Sequence, residues 1–254
     1  MTNNNQILGV LFDLDETLIP ETRPIAEAYA AVSHAIWGAG ASADQIQSVR
    51  VAARSYWDAH SPHQAYTRDV HIGPSDGLSS SFEGPGQELA DLRAFLPDFR
   101  AHVFDACLPS GYDGAPGELR EIWWSARMGN QGVYPGAYEL LATLRSSYRL
   151  ALVTNGTSDF QRHKVRHTDM ERRVDALIVS GDLGTGKPNA APFQAALEAL
   201  GVSAEAAVMV GNDQARDIAG AQALGIRTIW VQPGDPSQQG AVTDLSRIPT
   251  LLAA

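Results

Sequence analysis

Two kinds of apolar pattern divide the chain. Short apolar runs occur at 7–12, 149–153 and 206–210, and further strands are read at 175–179 and 227–231. Each has the length of a strand, and an unbroken apolar run suits a strand covered on both faces. Segments 137–147, 158–167, 190–200 and 214–224 carry apolar residues at helical spacing. From Tyr134-Pro135-Gly136 onward, helix and strand therefore alternate. That order predicts a parallel sheet joined by right-handed crossovers.

Residues 21–130 follow a different rule. Helices are predicted at 24–37, 43–60, 87–96, 99–107 and 117–128, with Ser42 as an N-cap and Pro116 suited to a first turn. The Gly-, Pro- and Ser-rich stretch 61–86 predicts a long loop, of the kind that tends to be functional. Its part 73–86 is expected near the ligand edge of the sheet. The simplest architecture is a core of residues 1–20 and 131–254 with a helical insert at 21–130.

Composition narrows the function. The chain has 254 residues, 44% of them apolar, enough for one large domain or a domain with an insert. No apolar run reaches membrane-spanning length. The start, Met1 to Gln6, lacks the regions of a secretory signal, and the single cysteine, Cys107, has no partner for a disulfide. A cytoplasmic protein is expected, with Cys107 in the insert. The net charge of −10 argues against nucleic acid as a partner. A small anion remains possible where a cation and a lysine attract it.

Candidate chemistry collects at strand ends, where open α/β sheets bind ligands. The first strand runs into Asp13-Leu14-Asp15-Glu16-Thr17. Two acids so close repel, and a cation between them relieves this. One acid then suits a nucleophile and the other an acid/base. The second strand ends in Thr154-Asn155-Gly156, whose hydroxyl and amides suit phosphate oxygens. The loop Gly181–Pro188 carries Lys187, without the spacing of a nucleotide-binding P-loop. The fourth strand ends in Gly211-Asn212-Asp213, followed by Asp217. His60, His63 and His71 sit near the unpatterned stretch without partner cysteines and are read as surface residues.

As an ordered set these four segments resemble the haloacid dehalogenase superfamily, in its phosphatase branch with a helical cap. The likeness covers roughly residues 6–20 and 133–231. It implies a Rossmann-like parallel sheet with helices on both faces and an inserted α-helical cap. It implies Asp13 as nucleophile, forming a covalent aspartyl-phosphate, and Asp15 as general acid/base. Thr154, Asn155, Gly156 and Lys187 would bind the phosphate of a small phosphorylated metabolite. Asp13, the backbone carbonyl of Asp15 and Asn212 would hold Mg²⁺, with Asp213 and Asp217 behind them. The chain departs from the family at Asn212, where an aspartate is usual. Gln161 and Lys164 add a resemblance to the N-acylneuraminate-9-phosphatase and pyrimidine nucleotidase subgroup. The alternatives are a 2-haloacid dehalogenase, which Asp15 opposes, and a non-catalytic sensor of phosphorylated ligands, which Asn212 favours.

Overall fold

The computed structural model describes residues 6–105, 108, 116–235 and 237–253. Cys107 lies outside the described residues, as does most of the start of the chain. Chain contacts separate two compact units. One comprises Met1–Pro20, Gly132–Gly156 and Val165–Ala254, and the other Glu21–Gln131 and Thr157–Lys164. The helix Ser158–His167 thus divides between them.

The first unit is built on five parallel strands: β1 (Gly9–Phe12), β2 (Arg149–Thr154), β3 (Ala176–Val179), β4 (Ala207–Gly211) and β5 (Arg227–Trp230). Their order is β3-β2-β1-β4-β5. Alternate residues of each strand point to opposite faces. Val10 and Phe12 pack with Leu150, Leu152, Val208 and Val210 beneath helices Ala137–Leu144 and Ile248–Leu252. Leu11 packs with Ala151, Val153 and Met209 beneath helix Ala190–Leu200. Both faces of the three central strands are therefore dry, which is why β1, β2 and β4 read as apolar runs. All strands run the same way, so their carboxyl ends share one edge. β1 sits at the centre, with Phe12 level with Leu152 of β2 and Val210 of β4. The chain turns to opposite sides of β1 at this point, the position where such sheets bind ligands.

The second unit is helical: Thr22–Trp37, Ala43–His60, Gln64–Asp69, Pro74–Ser79, Gln87–Asp105 and Pro116–Gly129. Ser42 caps the second helix in a reciprocal pair with Gln45. Two features differ from the sequence expectation. The stretch 61–86 is not one long loop, because Val70, Ile72 and Leu78 are buried and fold it into two short helices. Gly77 permits this, since a Cβ there would lie 2.6 Å from both Phe99 and Trp57. Helix Gln87–Asp105 also runs through Pro97 without a break. A helical proline costs about 3 kcal/mol. Burial of Leu92, Leu96, Phe99 and Val103 on both sides of it offsets that, at roughly 1.5–3 kcal/mol each.

The cap aromatics pack among themselves. Trp123 meets Tyr29 edge-on, and Trp57 meets Phe95 and Phe99. His60 bonds the Tyr56 carbonyl and His63 pairs with Asp91. Among the described residues no helix is long and apolar enough to cross a membrane.

Candidate active site

Asp13 directly follows the central strand, and its N–H donates to the Val210 carbonyl at 2.9 Å. That bond extends the β1–β4 ladder by one residue and fixes the carboxyl at the shared edge. The carboxyl is buried. Oδ1 accepts from Lys187 Nζ at 2.7 Å, and Oδ2 accepts from Thr17 Oγ1 at 3.0 Å. Lys187, also buried, donates equally to Asp217 Oδ1 at 2.7 Å. One ammonium thus bridges two buried carboxylates.

The charge count is unbalanced. Burial, and after it Asp217, push the Asp13 carboxyl up to about 7, against the pull of Lys187 and with a further push from Asp15. Burial works to lower the Lys187 ammonium, but Asp13 and then Asp217 outweigh it and hold it above its ordinary value. The lysine therefore stays charged, and an excess of negative charge remains around it.

Asp217 depends on a glycine. A Cβ on Gly211 would lie 2.4 Å from Asp217 Oδ2, so only glycine lets that side chain cross the end of β4. Its second oxygen accepts the Asp213 N–H at 2.9 Å. Asp213 itself caps the π-helical turn Gln214–Ala219 through the N–H groups of Ala215 and Arg216, and pairs with the Arg216 guanidinium. Those bonds, with the Arg216 charge, outweigh desolvation and hold its carboxyl below the usual range.

Asn212 turns its side chain back toward β1. Its Oδ1 lies 3.5 Å from the Thr17 hydroxyl that bonds Asp13, too far for a second full hydrogen bond. Its backbone carbonyl is held by Trp230 Nε1 at 2.9 Å and Gln232 Nε2 at 3.0 Å. Asp13 and Asn212 oxygens thus flank one hydroxyl beside an excess of negative charge. Carboxylate and amide oxygens are the donor type that a hard divalent cation takes. Among the described residues no cluster of three or more His, Cys, Asp or Glu has a metal-holding arrangement. The Asp13 and Asn212 pair differs in kind, because one of its two oxygens belongs to an amide.

Thr154 ends β2 buried, with its hydroxyl 3.4 Å from the Asn155 carbonyl. Asn155 spends its amide on Lys187: Nδ2 donates to the Lys187 carbonyl and Oδ1 accepts the Lys187 N–H, both at 2.9 Å. The Gly156 N–H donates to Ser180 Oγ at 2.8 Å. Asp15 is partly exposed, and the next residue, Glu16, has a positive φ of 59°. Glu16 accepts a 2.5 Å hydrogen bond from the Tyr134 hydroxyl. In the helical unit, Gln161 and Lys164 are both buried, and Lys164 pairs with Glu21 at 3.3 Å.

Sequence reasoning passed over Thr17, Ser180, Trp230 and Gln232 as site residues. Thr17 carried a signal, being the hydroxyl four residues after Asp13. The other three are brought in by neighbouring strands, and nothing local to them marks the role.

A haloacid dehalogenase-like hydrolase family model matches residues 7–225. The chain belongs to that family. Phosphoserine phosphatase of Thermus thermophilus is 31% identical over 241 residues, 93% of each chain. The pyrimidine 5'-nucleotidase YjjG of Escherichia coli is 31% identical over 144 residues, 54% of this chain and 64% of that one. This agrees with the subgroup resemblance drawn from Gln161 and Lys164. Among solved structures, a 2-haloacid dehalogenase from Pseudomonas syringae pv. Tomato superposes with a TM-score of 0.61 at 26% identity, covering 98% of this chain and 99% of the other.

Proposed function

We propose that this haloacid dehalogenase-like hydrolase is a Mg²⁺-dependent phosphatase of a small phosphomonoester. The observation that carries the reading is Lys187, buried and bonded at once to Asp13 and Asp217. A fixed ammonium beside a buried carboxylate suits phosphoryl transfer, whose transition state spreads negative charge over the equatorial oxygens. The phosphatase and nucleotidase relatives support the same reaction class.

In this reading an Asp13 oxygen attacks phosphorus in line, and the bond from phosphorus to the leaving oxygen breaks. Asp15 gives its proton to that oxygen, so the alcohol departs neutral. Asp15 then takes a proton from water. The resulting hydroxide attacks phosphorus, breaks its bond to Asp13 and releases inorganic phosphate. Thr154 and Lys187 bind the phosphate oxygens, and Asn155 and Gly156 shape the loop around them. Asp13, the Asp15 carbonyl and Asn212 would hold Mg²⁺, with Asp213 and Asp217 behind them. When bound, the ion supplies positive charge that offsets repulsion between phosphate and carboxylates. We assign choice of substrate to the helical unit inserted between β1 and β2.

The dehalogenase likeness offers a second reading, attack on carbon with halide as leaving group. Asp15 separates the two, because an ester oxygen needs a proton to leave and a halide does not. The test is phosphate release from a panel of sugar phosphates, nucleotides and short acid phosphates, with and without Mg²⁺, beside halide release from 2-haloacids. Mg²⁺-dependent phosphate release is expected. Halide release alone would overturn the reading, and neither product would leave the sensor.

A further inference from the structure

The helical unit holds a hollow of about 740 Å³, walled by helices Thr22–Trp37, Ala43–His60 and Pro74–Ser79. Pockets for small molecules run to roughly 300–1,000 Å³. Tyr29, Arg50 and Arg54 line it together with Ile25, Val51 and Pro74. The two arginines stand one helical turn apart, so their side chains are neighbours on one face.

Two observations point to a ligand. Tyr29 is only 5% exposed and lines the hollow, and its hydroxyl, open to solvent there, has no hydrogen-bond partner among the described residues. Burial keeps that phenol protonated, pushed up to about 12, so it has a proton to donate. Arg50 is the second. Its guanidinium lies 5.4 Å from the Tyr29 ring centroid, and no carboxylate pairs with it among the described residues. Arg54 meets Asp58 at 3.5 Å, an exposed pair of little strength. Asp76, whose charge also reaches the phenol, accepts from the Gly73 N–H at 2.8 Å. Donors and positive charge thus line the hollow in a chain of net charge −10. Val51, half exposed, adds apolar surface to the hollow.

We propose that this hollow binds a small organic anion, its phosphate or carboxylate held by Tyr29, Arg50 and Arg54 and its apolar body against Ile25, Val51 and Pro74. Guanidinium groups suit both anions, which they can meet with paired N–H bonds. Two sources share this chemistry: the non-reacting end of a substrate, and a separate effector. The site does not rest on the phosphatase reading.

The test is calorimetric titration of the full chain with inorganic phosphate. Wild type is expected to take up one equivalent more than Arg50→Gln/Arg54→Gln. Glutamine keeps helix propensity at both positions. Tyr29→Phe keeps the ring under Arg50 and removes only the O–H, so phosphate should bind there about tenfold more weakly. Equal stoichiometry and affinity in wild type, the double variant and Tyr29→Phe overturns the proposal. The source is separated by kinetics. A KM raised in the double variant only for phosphomonoesters with a second anionic group identifies the substrate. An unchanged KM throughout, with the extra phosphate still bound by wild type, identifies an effector.

Discussion

The side-chain amide of Asn155 closes both hydrogen bonds of the Lys187 backbone, accepting from its N–H and donating to its carbonyl at 2.9 Å each. Asn155 ends the β2 motif and Lys187 belongs to the loop after β3, so one residue couples two motifs. The lysine tip bonds Asp13 at 2.7 Å, so its aim at that carboxyl depends on where this backbone lies.

Asn155→Ala is therefore expected to act through Lys187. It leaves two backbone groups without their partners, costing about 1–3 kcal/mol of stability. A displacement of about 1 Å at the ammonium would lower kcat on the order of 100-fold. A double-mutant cycle checks the route. In a Lys187→Met background, Asn155→Ala should cost the same stability and little further kcat. An undiminished kinetic loss in that background would show that Asn155 meets substrate directly.

Asp13→Asn should leave the fold intact and reduce phosphate release by roughly a thousandfold or more, because an amide is a far poorer nucleophile than a carboxylate. Lys187 retains Asp217 as a charged partner, so the buried ammonium is not stranded. Thermal melting separates the two effects. Near-wild-type turnover by the folded variant would remove Asp13 from the mechanism.

Gly211→Ala probes how Asp217 reaches Lys187. The added methyl would lie 2.4–2.5 Å from three Asp217 side-chain atoms, and Asp217 is itself buried. Overpacking of this kind costs about 1–3 kcal/mol. It should also drive Asp217 off the ammonium and lower kcat. A melting temperature and kcat both equal to wild type would mean that the end of β4 can move aside.

Most of the fold was legible because both faces of the central sheet are covered, so β1, β2 and β4 read as apolar runs. Helix Gln87–Asp105 was not, since Pro97 signals a break that long-range packing of Phe99 and Val103 overrides. The helices in 61–86 were hidden for a similar reason: turn-forming residues there surround buried Val70, Ile72 and Leu78. Within the site, the ordered motifs and the family they resemble singled out Asp13, Lys187 and Asp217, but not the bond from Lys187 to Asp217. Asp217 follows Asp213 through a π-helical turn, closed by an Ile218 N–H to Asp213 carbonyl bond of 3.2 Å. No local propensity encodes that turn. The pairing of Asn155 with Lys187 joins loops 32 residues apart, beyond any local pattern.

Asn212→Asp is expected to tighten Mg²⁺ binding. The Asn212 backbone is fixed by Trp230 and Gln232, and its Oδ1 lies near the Thr17 hydroxyl that bonds Asp13. A carboxylate there keeps an oxygen of similar reach and adds a full negative charge, and ligand charge count is a main determinant of affinity for hard cations. The same charge joins Asp13 and Asp217 around a single buried lysine, which raises repulsion when no ion is bound. The metal-free variant should therefore melt below metal-free wild type, while saturating Mg²⁺ should raise its melting temperature by more than it raises that of wild type. Half-saturation of phosphate release should fall to lower Mg²⁺, with kcat at saturation little changed. Melting curves over a Mg²⁺ series read the first effect without any turnover, and initial rates read the second. Identical Mg²⁺ shifts in the two proteins would mean that the Asn212 oxygen is not a ligand, and that Asp213 or Asp217 takes its place.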